Sequence, residues 1–273
     1  EKSFLLVILK KSFPFALLAL LMVLYSKIDT VLLKTLHPNG NEEVGIYAAA
    51  YRLIDAANMI AILFSGLLYP IFARQLKEKT DIAPMVRTGF KLLVFPALAF
   101  SVVIYVFRMP LMAMLYIQDA NIAGNLLGLL LISLVATCVT YVCGTLLTAA
   151  GEIVLLNRIA LIAVLFNIIA NYIFIPIYGV VACAWIAMFT FGFVASSHFY
   201  YSKTHFSLII NILTPIKAIA LVVFCFLCSQ YLMAQNWPLY LSFSTALISS
   251  ILFLSILRLL SFNQLRNIIK AEA

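Results

Sequence analysis

Eight runs of about 20 largely apolar residues, joined by short polar links, constrain this chain more than any other feature, because a run of that length crosses a bilayer as a helix. They fall at about 13–36, 44–72, 89–107, 121–149, 153–175, 180–200, 208–233 and 239–260, with a polar tail at 261–273. Backbone polar groups in lipid must be satisfied within each segment. The expected fold class is therefore all-α membrane, a polytopic bundle of about eight transmembrane helices forming one domain over residues 1–273. A mean hydropathy of +1.11 with only 10% charged residues excludes an ordinary soluble domain.

Charge distribution sets the expected orientation. Of the eighteen basic residues, all but Lys27, Lys34, Arg52 and Arg108 fall on one side when the links are taken alternately. Short cytoplasmic links carry such an excess, so both termini are expected in the cytoplasm. Trp237, Tyr240, Tyr116 and Tyr178 then lie near the outer interface, where amphipathic rings are favoured. The same clustering in links argues against nucleic acid as the target of the +8 net charge. The segment at 74–91, RQLKEKTDIAPMVRTGFK, reads as the only long cytoplasmic link and as a contact for anionic membrane lipids. The tail from Arg258 onward reads as a short amphipathic helix on the membrane surface. The opening EKSFLL lacks a methionine and any signal-peptide pattern, and suggests the later part of a longer protein.

Four charges interrupt the first two segments: Lys27 and Asp29, then Arg52 and Asp55 beyond the polar turn HPNGNEE. Ionisable groups inside a membrane are costly, and they face a bundle interior or a wet cavity and pair with one another. At about 1.5 Å per residue, antiparallel helices bring Asp29 level with Arg52 and Lys27 level with Asp55. Two readings stay open: the four neutralise one another and fix packing, or they line a transport cavity in which Lys27 or Arg52 meets an anionic headgroup. Tyr25, Tyr47 and Tyr51 flank this stretch beside a small-residue face, Gly45 and Ala48–Ala50, and Asn58 extends its polar side.

Elsewhere the polar load is light. Gly124-x-x-x-Gly128 suits close helix packing. Thr137, Thr140, Tyr141, Thr145 and Thr148 either line a cavity or bond back to their own helix, and Asn167 and Asn171 form a candidate polar stripe. His37, His198 and His205 read as loop residues, unclustered and unsuited to a joint metal site, so neither a metal nor a cofactor is expected. The five cysteines lie in apolar runs and read as small hydrophobes; Cys225-x-x-Cys228 lacks the context of a redox motif. With no glycine-rich nucleotide loop, catalytic carboxylate pair or nucleophile elbow, an enzyme is not expected.

SKIDTVLL, the turn, VGIYAAAYRLIDAANMI and GLLYPIFARQL together resemble the hairpin of the Wzx-type oligosaccharide flippases, or polysaccharide biosynthesis/export proteins, of the MOP (MATE-like) superfamily. The resemblance is most specific at Asp29, Gly45, Tyr47, Tyr51, Arg52 and Pro70. That family has two pseudo-symmetric lobes of six helices, often with two more at the C-terminal end. The resemblance implies that this chain is the second lobe plus the two extra helices, without the first lobe.

It further implies a flippase that moves an undecaprenyl-pyrophosphate-linked glycan from the cytoplasmic to the periplasmic leaflet of a bacterial inner membrane by alternating access. The product would be an O-antigen, capsule or exopolysaccharide. Lys27, Arg52 and Tyr51 are then the substrate-cavity candidates. Asp29 and Asp55 are their charge partners, or sites for a coupling H+ or Na+. Implied partners are the first lobe and polysaccharide polymerase machinery. Lysine at 27, where arginine is expected, keeps the charge but not the planar fork. Two rivals remain: a multidrug or cation antiporter of the same superfamily, and a membrane enzyme of envelope glycan synthesis.

Overall fold

The computed structural model describes residues 2–208, 212–235 and 237–260, and all regular structure within them is helical. Eight helices are long and apolar enough to cross a membrane. They are α1 (Lys2–Leu36), α2 (Gly40–Glu78), α3 (Ala83–Leu115), α4 (Ala120–Ala149), α5 (Ile153–Tyr178), α6 (Val180–His205), α7 (Leu213–Ala234) and α8 (Leu239–Ile256). The protein is a multi-pass membrane protein.

Helix α4 is the hub. It packs along α2, α3 and α6, while α1 lies mainly on α5, and the α7–α8 hairpin sits at the edge against α3. A helix apolar on all sides belongs in the interior, and Leu127, Leu130, Val142, Cys143 and Leu146 of α4 are all fully buried. Glycine brings its neighbours close: a Cβ at Gly124 would stand 2.7 Å from Met109 Sδ, and one at Gly128 3.2 Å from Arg108 Cδ. Gly124 and Gly128 thus seat α3 on α4.

Proline leaves its mark without ending these helices. In α3 a π-helical turn, Phe90–Val94, precedes Pro96, and the Phe95 N–H reaches back to the Phe90 carbonyl. The widened turn accommodates the donor that Pro96 lacks. Pro14 lies inside α1, and Asn157 Nδ2 of α5 donates to the Pro14 carbonyl at 3.0 Å.

The long link expected at 74–91 is not there. Helix α2 continues through Glu78 and α3 starts at Ala83, which leaves four residues between them. Arg74 and Glu78 pair at 2.9 Å one turn apart and hold the polar end helical. Lys79 then turns left-handed (φ 55°), with its N–H on Leu76 O and that of Thr80 on Gln75 O, a Schellman ending. Asp81 Oδ1 accepts the Ala83 N–H to open α3. Loss of apolarity marked the end of the span, not of the helix.

At the other terminus α8 stops at Ile256, Arg258 is left-handed (φ 55°), and Leu259 is buried among residues of α3, α7 and α8. The rest of the expected amphipathic tail, 261–273, lies outside the described residues.

Candidate functional site: the charged α1–α2 hairpin

On α1 the buried positions Leu21, Tyr25, Asp29 and Leu33 recur every fourth residue and form one stripe against the bundle. Lys27 is two residues from Asp29, about 200° around the helix, and its side chain is 54% exposed. On α2, Tyr47, Ala50, Tyr51 and Ile54 are buried, whereas Arg52 and Asp55 point outward. The four charges therefore divide into an inner member, Asp29, and an outer set.

The outer pairing forms as depth suggested. Lys27 Nζ contacts both Asp55 oxygens, at 3.1 and 3.2 Å, and lies 4.7 Å over the Tyr51 ring. The expected Asp29–Arg52 pair does not form. Tyr47 donates its hydroxyl to Asp29 Oδ2 at 2.6 Å, and the Thr30 N–H reaches Oδ1 at 2.7 Å. Arg52 instead donates to the Tyr116 hydroxyl beyond the end of α3, at 3.4 Å. Equal depth was satisfied, but the helical phase puts the two side chains on different faces.

Behind the ion pair lies a cavity of about 300 Å³ whose wall includes Ser26, Lys27, Tyr51, Asp55, Asn58 and Thr137. A second, of about 200 Å³, shares Met22, Tyr25, Thr140 and Tyr141 with the first, and adds Ser65, Thr145, Thr148 and His198 toward the α4–α5 link. Together they make a seam through the bundle in which hydroxyls, Asn58 and the ion pair interrupt a mostly apolar lining. The α4 hydroxyls do both things considered for them: Thr137 and Thr148 bond back to Ser133 and Gly144 carbonyls while facing the seam. Asn58 Oδ1 and Thr140 Oγ1 are buried there without a hydrogen-bond partner in the described structure.

His198 corrects the sequence reading. It is a buried residue of α6, not a loop residue; its ring lies against the Thr140 backbone, and a Cβ on Gly144 would stand 2.9 Å from its Nδ1. One polar ring in an apolar helix gave no periodic signal, and only the facing glycine reveals the fit. His37 and His205 do lie at helix ends, His205 within 3.4 Å of Glu152.

Two polar clusters brace the hairpin from behind. Asn167 Nδ2 donates to the Tyr25 carbonyl and to Thr190 Oγ1, both at 3.3 Å, and Asn171 Nδ2 donates to Asn167 Oδ1 at 2.8 Å. This ladder ties α5 to α1 and α6. Near the α1–α2 turn, Glu43 Oε2 accepts the Val180 N–H at 2.7 Å at the start of α6, where unpaired N–H groups favour an anion. Gly179 precedes it with φ 55° and ψ −138°, and a Cβ there would stand 3.0 Å from Glu43 Oε2. Among the described residues no three His, Cys, Asp or Glu side chains could share a metal ion.

The family model described as "Polysaccharide biosynthesis protein" matches residues 1–76, the stretch that contains α1 and nearly all of α2. No curated protein matches the chain.

Proposed function

We propose that this chain forms the cavity-bearing part of a flippase that moves a lipid-linked oligosaccharide across a bacterial cytoplasmic membrane for surface polysaccharide synthesis. The observation that carries this reading is the Lys27–Asp55 pair, half exposed over Tyr51 at the rim of a polar cavity, within the stretch that matches a polysaccharide biosynthesis family.

An exposed ion pair is easily exchanged. A pyrophosphate entering the cavity competes with Asp55 for the Lys27 ammonium, and the Tyr51 face stays beside it. Arg52 adds a guanidinium held, among the described residues, by one long bond to Tyr116. In this proposal the carrier is undecaprenyl pyrophosphate, both termini are cytoplasmic, and a first six-helix lobe closes the open side of the hairpin. Cycling between inward- and outward-facing states supplies access to each leaflet in turn, and a polymerase consumes the delivered units.

One observation favours a second reading, a cation antiporter of the same architecture. Asp29 is a buried carboxylate bonded to a phenol and an N–H rather than to a cation, which leaves it available to a proton or Na+.

The complete gene in bacteria lacking their own flippase separates the two. Restored surface glycan with clearance of the lipid-linked intermediate supports the flippase. A persistent intermediate despite membrane insertion, together with cation-driven drug efflux, supports the antiporter.

A further inference from the structure

A cavity larger than either of those in the polar seam lies on the opposite side of α4 from it. It measures about 720 Å³ and is walled by α3, α4, α6 and α7, with Leu98, Val102, Val135, Phe199, Val222 and Phe226 among its lining. That volume falls within the ~300–1,000 Å³ usual for small-molecule sites. The α4 residues facing it are Gly128, Leu131, Ile132, Val135, Ala136 and Val139. The α4 residues facing the seam, from Thr137 through Thr140, Tyr141, Gly144, Thr145 and Thr148, repeat the same spacing nine residues later. Nine residues are about half a turn out of phase, so the two cavities back onto α4 from opposite sides and share no lining residue.

At one end of the apolar groove sits Arg108. Its stem crosses Gly128, its guanidinium lies 4.2 Å over the Tyr105 ring, and Nη1 donates to the Tyr105 carbonyl; both Gly128 and Tyr105 line the groove. Among the described residues no acid lies within ion-pair distance of it. A guanidinium has five N–H donors, and among the described residues this one makes a single hydrogen bond. Its rigid fork suits phosphate.

We propose that this groove is a binding site for an anionic phospholipid, with an acyl chain along the apolar lining and the phosphate on Arg108. The charge at the mouth and the apolar floor together demand an anionic amphiphile. The separation from the polar seam favours a resident phospholipid over the carrier lipid, because a carrier with its headgroup beside Lys27 would have to cross α4 to lay its chain here.

The test is native mass spectrometry of the complete protein titrated with phosphatidylglycerol and phosphatidylcholine. The wild type is expected to retain phosphatidylglycerol preferentially. Arg108→Gln, which keeps a stem and one donor group, should cut that preference by about tenfold, and Arg108→Lys should retain part of it. Gly192→Leu should weaken both lipids alike, since Gly192 lines the groove and a Cβ there meets nothing within 4 Å. An undiminished headgroup preference in Arg108→Gln, or unchanged binding in Gly192→Leu, would overturn the proposal. So would displacement of phosphatidylglycerol from the wild type by equimolar undecaprenyl phosphate.

Discussion

Tyr47 holds Asp29: a 2.6 Å hydrogen bond from the α2 phenol to the α1 carboxylate, in a contact where both residues are buried, is the polar lock of the hairpin. Lys27, two residues away on α1, takes no part in it and pairs with Asp55 on the open side. The hairpin thus keeps one carboxylate in a buried contact between its two helices and places a separate ion pair at the cavity wall.

Tyr47→Phe removes the donor and leaves Asp29 with local backbone support. It should destabilise the protein by about 1–3 kcal/mol, read as a lower unfolding midpoint in detergent. Asp29→Asn should remove most of the additional cost of Tyr47→Phe in a double-mutant cycle, because the buried charge is then gone. Simple additivity of the two changes would contradict the lock.

Lys27→Ala and Asp55→Ala should each abolish or sharply reduce export, and the chain carrying both changes should be more stable than either single variant, because one change alone leaves an intramembrane charge without its partner. Reversing the pair, Lys27→Asp with Asp55→Lys, should recover part of the activity lost in either single reversal. The analogous exchange of Asp29 with Arg52 should recover nothing, since those side chains lie on different faces.

Much of this is legible in the sequence. Apolar length located the eight spans, and depth along two antiparallel helices brought Lys27 to Asp55. Depth alone could not separate Asp55 from Asp29 as a partner for a cation; the azimuth did, through the Leu21–Tyr25–Asp29–Leu33 stripe. The polar stretch after Phe72 read as a loop because hydropathy reports where lipid ends, whereas Arg74–Glu78 and the Lys79 cap decide where the helix ends. His198 and Glu43 stayed hidden for a different reason: each acquires its role from a residue distant in sequence, Gly144 for one and Val180 for the other.

Asn167→Leu should cost about 1–3 kcal/mol or more, because it strips the Tyr25 carbonyl and Thr190 of a donor and leaves Asn171 without its side-chain acceptor. Asn157→Leu, a part-buried single bond to the Pro14 carbonyl, should cost less. The order of the two unfolding midpoints checks this; equal losses would mean that the ladder acts as isolated bonds.

Gly179→Ala should destabilise the α5–α6 turn, since it combines a positive φ with a Cβ close to Glu43 Oε2. Glu43→Gln preserves an acceptor for the Val180 N–H and should be milder than Glu43→Ala. Protease sensitivity at 176–182 reads the difference directly, and equal sensitivity in both Glu43 variants would show that the carboxylate is not what holds the start of α6.

The most direct test of the central claim, that the outer ion pair serves export, uses the complete gene carrying Lys27→Ala in bacteria lacking their own flippase. Surface polysaccharide and accumulated lipid-linked intermediate are measured together, with membrane insertion checked by immunoblot. The expected result is full insertion, little surface glycan and a raised intermediate, all reversed by the wild-type gene. Wild-type glycan and no raised intermediate from the inserted variant would contradict a role for Lys27 and its pair in moving the substrate.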